Sequence, residues 1–170
     1  LEALTEGRSI GTVVFDPGYV INGNTPDVVI AADGENLTHW RTFTTTAVTA
    51  MDITRPLAAL EPSDTTVLGP DPGLADMAAI LIAAEQVGAA TRCLDLTVAY
   101  TKDRVQFGRA IGSFQALKHR MADMYVLVET ARSISRAAVA ALAADDPDAA
   151  DLALAAHVYC SDAYRRVAGE

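Results

Sequence analysis

Short apolar bursts separated by turn residues mark the first part of the chain, and a three-to-four apolar spacing marks the rest. Thr12–Phe15, Tyr19–Ile21 and Val28–Ile30 predict strands, the run Leu37–Ala50 one or two more, and Thr65–Leu68 another. Pro17-Gly18 reads as a turn, and Asn22-Gly23 as a type I′ hairpin loop, whose two central residues both take positive φ. Beyond Gly69-Pro70-Asp71-Pro72-Gly73, which breaks ladders and helices alike, three long helical patterns follow. The first runs Leu74–Gln106 and, at 1.5 Å per residue, would span about 50 Å. The second starts after Gly112 with Ser113 as N-cap, and Leu117, Met121, Met124, Val128 and Ala131 line one of its faces. The third restarts at Asp146-Pro147, N-cap and first helical position, with Leu152, Ala155, Tyr159 and Ala163 as its buried face. Its Asp148 and Asp151 sit near the positive helix end, and Arg165 and Arg166 near the negative one.

The predicted class is α+β: a small antiparallel β unit over 1–69, then an antiparallel helical bundle over 70–170. Three helical faces leave a groove that a fourth normally fills, so a fourth helix is expected outside these residues. Composition supports the division. Only seven of 32 alanines precede residue 70, against 12 of 16 threonines, and alanine favours helix where threonine favours pleated surface.

The 170 residues are 51% hydrophobic and 21% charged, enough apolar material for a packed core and too little charge for global disorder. A net charge of −9 leaves no basic stripe to neutralise phosphates, so nucleic acid is not an expected partner. The longest uninterrupted apolar runs, Met77–Ala84 and Ala137–Ala144, fall well short of the roughly 20 residues of a spanning helix, so no membrane segment is expected. No secretory leader opens the sequence, and Cys93 and Cys160 form no spacing motif, which points to free thiols in a reducing cytoplasm.

GxGxxG, GxxxxGK[ST], HExxH and GxSxG are all absent, and His39, His119 and His157 are isolated and read as structural or solvated. No metal site is expected. The informative stretch runs from Tyr100 to Met124. There Arg104 at a helix end can fork onto a phosphate, Phe107 can cover a planar ring, and a helix N-terminus with free N–H groups follows. The alternative is that Arg104 caps its own helix and Phe107 anchors the loop.

Arg104-x-x-Phe107-Gly108, followed by Ile111-x-x-Phe114-Gln115, resembles the signature of the acyl-CoA dehydrogenase family in its carboxy-terminal helical domain. Glu85-Gln86-Val87-Gly88, Arg92 and Arg120-Met-Ala-Asp-Met124 are similar to actinobacterial members acting on acyl and steroid side-chain thioesters. Gly18-Tyr19-Val20-Ile21-Asn22-Gly23 resembles a hairpin of the family's middle β-domain, so residues 1–69 would be part of that domain and 70–170 part of the helical-bundle domain.

The resemblance implies α,β-desaturation of an acyl-CoA thioester, with a glutamate taking the α-proton, the β-hydrogen leaving as hydride to FAD, and an electron-transferring flavoprotein receiving the electrons. It implies that Arg104 meets the FAD pyrophosphate of a neighbouring subunit, that Gln106, Phe107, Ile111, Phe114 and Leu117 line the same cofactor, and that the assembly is a dimer of dimers. Ala78 and Ala79 stand where one branch of the family keeps its glutamate and a following arginine, and the other branch's glutamate would lie beyond Glu170. No catalytic residue is therefore assigned. Asp76 and Glu85 are the nearest carboxylates, Glu85 better placed for a polar role between helices. Asn24-Thr25-Pro26 leads straight to Asp27-Val28, without the strand that backs the flavin ring in the family, and the family's amino-terminal helical domain has no counterpart. Three functions follow: part of an acyl-CoA dehydrogenase whose base lies elsewhere, a non-catalytic subunit sharing FAD in a hetero-oligomer, or a flavin-free helical interaction module.

Overall fold

The computed structural model describes residues 2–33 and 35–170, with only the backbone of Asp33. It divides into two compact units, Leu1–Ala75 and Asp76–Glu170. The α+β class read from the sequence is the observed one.

In the first unit a short helix, α1 (Glu2–Thr5), precedes five strands: β1 (Gly11–Val14), β2 (Val20–Ile21), β3 (Val28–Asp33), β4 (Asn36–Val48) and β5 (Leu57–Pro70). Their order in the sheet is β1-β3-β4-β5-β2. The sheet is not wholly antiparallel, because β1 runs parallel to β3. Its two edges approach one another: Thr12 Oγ1 on β1 donates to the Ile21 carbonyl on β2 at 2.9 Å, so the sheet curls toward a barrel. Register breaks between Leu37/Thr38, Trp40/Thr42 and Thr42/Phe43 accompany that curl in the long β4–β5 hairpin. Val14, Val20, Val29, Ala31, Trp40, Ala58 and Leu60 form the core.

Pro17-Gly18 is a turn as expected, with the Gly18 N–H held by Asp16 Oδ1 at 2.8 Å. Asn22-Gly23 is not a type I′ hairpin. Asn22 takes φ 56°, Gly23 stays outside the left-handed region, and β2 pairs with β5 rather than with the next strand. Glycine serves a different purpose here: a Cβ at Gly23 would lie 2.4 Å from Leu60 Cδ1 and 3.0 Å from the Val20 carbonyl.

The helical unit contains α2 (Leu74–Asp103), α3 (Gln115–Ala143) and α4 (Ala149–Gly169). Asp71 Oδ1 accepts the N–H groups of Gly73 and Leu74 at 3.0 and 2.8 Å and so opens α2. By length and composition α2 could cross a bilayer, unlike what its short apolar runs predicted, although Glu85 would then have to enter hydrocarbon. Between α3 and α4 the chain turns through Asp145 at φ 50°. Asp146 does not cap α4; its Oδ1 holds the Asp148 N–H at 2.9 Å, and Asp148 is the N-cap.

Small residues set the packing. Ala83, Ala131, Ala138, Ala153, Ala156 and Ala163 meet around Ile80 and Cys160, and Ala90, Leu94, Met124, Val128 and Val167 form a second cluster. The α3 stripe is as read, with Met124, Val128 and Ala131 buried. The buried face of α4 is rotated from the expected one: Ala153, Ala156, Cys160, Ala163 and Val167 are buried, Leu152 and Tyr159 are half-buried, and Ala155 is exposed. Polar ties cross the interfaces, from Gln86 Nε2 to Ser161 Oγ at 3.0 Å and from Arg132 Nη2 to Thr91 Oγ1 at 3.2 Å.

Two predictions follow from this packing. Gly23→Ala destabilises the fold by about 1–3 kcal/mol, whereas Gly88→Ala, in mid-helix with open space around it, adds up to about 1 kcal/mol; urea midpoints moving in the same direction would contradict the assignment. Cys160 is 1% exposed, with its thiol held up in pKa by burial, and Cys93 is half-buried. A thiol reagent at about pH 8 therefore titrates Cys93 in the native protein and Cys160 only on unfolding, and equal labelling rates would refute the buried position.

Candidate functional site

Helix α2 stops short of its predicted end. Its last residue is Asp103, and the chain turns at once into a two-stranded hairpin, β6 (Val105–Gln106) and β7 (Arg109–Ala110). Phe107 and Gly108 form the connecting loop at φ 53° and 76°, the positive pair that a type I′ turn requires. The Ile111 N–H closes the base of the hairpin on the Arg104 carbonyl at 2.8 Å. That bond and the Gly108 turn override the helix propensity of Arg104 and Gln106.

A 3₁₀ turn, Ile111–Ser113, then leads into α3. Gly112 sits so close to the last turn of α2 that a Cβ would lie 3.0 Å from the Thr101 carbonyl oxygen and 3.1 Å from Thr101 Oγ1. Ser113 is not the N-cap of α3: its hydroxyl donates back to the Ala110 carbonyl at 2.7 Å, and Phe114 takes the cap position without any side-chain cap bond. The first-turn N–H groups of α3 consequently keep no side-chain acceptor.

The six residues read from the sequence lie along this one segment. Arg104, Gln106 and Phe107 are exposed, and Ile111, Phe114 and Leu117 are half-buried. Phe107, with 92% of its surface exposed, meets the Phe114 ring edge-on, with centroids 6.2 Å apart and planes at 88°. The Arg104 guanidinium has no hydrogen bond or ion pair with any described residue, so it does not cap its helix; its backbone N–H, donating to the Tyr100 carbonyl at 2.9 Å, does the local work. Gln106 folds back, Nε2 donating to its neighbour's Val105 carbonyl at 2.8 Å. Sequence reasoning missed Arg109, whose guanidinium carbon lies 4.0 Å over the Phe114 ring. Its position opposite Gln106 in a hairpin was the signal, invisible while that stretch was read as helix and loop. His39 and His157 are half-buried and His119 exposed, and His157 Nδ1 is buried without a partner.

Residues 74–170 match the family described as acyl-CoA dehydrogenase, C-terminal domain. The chain belongs to the acyl-CoA dehydrogenase family. It is 58% identical over 170 residues to acyl-CoA dehydrogenase IpdE2 of Mycolicibacterium smegmatis, covering all of this chain and 53% of that protein. Among solved structures it resembles the Tcur3481-Tcur3483 steroid ACAD G363A variant, with a TM-score of 0.76 at 24% identity over 94% of this chain and 49% of that one. Butyryl-CoA dehydrogenase from Megasphaera elsdenii gives a TM-score of 0.75 at 25% identity, over 93% of this chain and 50% of that one. The chain thus spans about half the length of these acyl-CoA dehydrogenases.

The residues present fit one side of a flavin dinucleotide. A cation without a partner among the described residues, an exposed ring on a turn that is costly for a bulky side chain, and a half-buried apolar wall stand on consecutive elements. Strain at Phe107 gives a direct check. Phe107→Asn relieves an unfavourable φ worth about 1 kcal/mol and forfeits a ring contact of similar size, so chemical unfolding shows stability within about 1 kcal/mol of the parent. A loss of several kcal/mol would make Phe107 a structural anchor instead.

Proposed function

We propose that this chain forms part of an FAD-dependent acyl-CoA dehydrogenase that places an α,β double bond in a fatty-acyl or steroid side-chain thioester. The carrying observation is the hairpin beyond α2, which holds the Arg104 guanidinium without a partner among the described residues and Phe107 almost fully exposed. Bound FAD supplies the hydride acceptor for the β-hydrogen. Arg104 offers a charged fork to the pyrophosphate, Phe107 and Phe114 offer ring surface, and Gln106, Ile111 and Leu117 complete that wall.

Distance supports a shared cofactor. From Ala78 to Arg104 is 26 positions, about 39 Å along a helix rising 1.5 Å per residue. That exceeds the reach of one flavin dinucleotide, so the hairpin serves a cofactor other than the one beside the amino-terminal part of α2. The reading therefore includes a dimer at least, and by family habit a dimer of dimers, in the cytoplasm, with an electron-transferring flavoprotein as electron acceptor.

Removal of the α-proton falls to a carboxylate outside these residues. Ala78 and Ala79 cannot accept it, and this favours a second reading in which the chain is the non-catalytic member of a hetero-oligomer whose partner carries the base. The two-protein designation of the Tcur3481-Tcur3483 neighbour is in keeping with such pairing.

Replacing Arg104 by Ala in the full-length protein, expressed with its partners, tests the common core of both readings. Loss of a charge-assisted fork of about 1.5–3 kcal/mol weakens FAD binding roughly ten- to hundredfold, read by equilibrium dialysis. Unchanged FAD retention removes Arg104 from the cofactor site.

A further inference from the structure

Arg109 stands outside the six residues assigned to the cofactor, yet the local geometry converges on it. Its guanidinium carbon lies 4.0 Å over the Phe114 ring, and that ring also carries the edge-on contact with Phe107. The Arg109 guanidinium has no hydrogen bond or ion pair with any described residue, and the Phe114 ring is the contact that defines its place. Phe107 is too exposed for burial to fix its rotamer, and its turn conformation is unfavourable for a large side chain. What orders the Phe107 ring is the Phe114 edge contact, and what covers the Phe114 face is Arg109. Hairpin pairing supports the arrangement, since Arg109 sits opposite Gln106 on the strand that returns from the turn.

We propose that Arg109 is a positioning residue: by lying on Phe114 it sets the Phe114–Phe107 pair in the orientation that receives a planar ring ligand. The inference rests on the flavin reading above. A guanidinium suits the task because it is flat, always charged and weakly hydrated, and so can stack on one ring face while its edges stay in water. Ordering the pair before the ligand arrives spares binding the entropy of fixing two aromatic side chains.

The test uses the full-length protein with its partners and measures FAD affinity for the parent, Arg109→Ala, Arg109→Lys, Phe114→Leu and the Arg109→Ala/Phe114→Leu double variant. Arg109→Ala weakens FAD roughly three- to fivefold, the worth of an exposed cation–π contact. Arg109→Lys, which keeps the charge and loses the flat stacking surface, recovers only part of that, and the double variant binds no worse than Phe114→Leu alone, because Arg109 acts through Phe114. In the cofactor-free protein the Arg109 side-chain proton resonances carry an upfield ring-current shift that Phe114→Leu abolishes. Additive losses in the double variant would mean that Arg109 touches the ligand directly, and they overturn the proposal, as does parental FAD affinity in Arg109→Ala. Arg104→Ala separates the two levels. If it weakens FAD while Arg109→Ala does not, only the positioning role fails; if neither does, the flavin reading fails with it.

Discussion

Gly112 and Thr101 meet where the end of α2 and the 3₁₀ turn before α3 come into contact, so closely that a methyl group on Gly112 would push them apart by a few tenths of an ångström. Thr101 is buried, and its hydroxyl donates to the Val98 carbonyl at 3.0 Å and lies 3.3 Å from Met121 Sδ on α3. This contact fixes both feet of the hairpin between them. The hairpin itself is small, two residues on each strand, and would not hold its shape in water alone. Anchored at Gly112 and closed by the Ile111–Arg104 bond, it can carry a bulky side chain at positive φ and keep a cation free of partners among the described residues.

The helical unit makes that anchoring possible by packing closely. Alanines fill the centre where α2, α3 and α4 meet, and larger residues such as Leu94, Met124 and Val128 take over toward the end that bears the hairpin. Each fully buried Val or Leu contributes roughly 1.5–3 kcal/mol. The small side chains contribute less area but let α3 and α4 approach closely, while the longer side chains of Gln86 and Arg132 reach Ser161 and Thr91 and tie α2 to them. Rigidity at the base of the site and exposure at its tip thus come from one architecture.

Much of this was legible in the residues. Threonine before the Gly-Pro-rich boundary and alanine after it announced the change of secondary structure, and the resemblance of the segment to the family signature singled out Arg104, Phe107 and Phe114. Other features were hidden for physical reasons. Asn22-Gly23 has the composition of a type I′ turn, but the fold uses Gly23 for close approach to Leu60 and puts its type I′ geometry at Phe107-Gly108. The buried face of α4 was misread because Ala153, Ala155, Ala156 and Ala163 occur on several faces, and alanine does not tell periodicity which one is inside. Ser113 looked like an N-cap until the 3₁₀ turn gave its hydroxyl the Ala110 carbonyl instead. Arg109 could be valued only once the hairpin placed it over a ring.

The cation and the exposed ring on a stiff turn carry the proposal of a shared flavin site. The most direct measurement is the visible absorption spectrum of the full-length protein, purified with whatever accompanies it, before and after anaerobic addition of fatty-acyl and steroid side-chain CoA thioesters. The account predicts a flavin band that one of these thioesters bleaches. A preparation with no flavin band, and none after incubation with FAD, would contradict it.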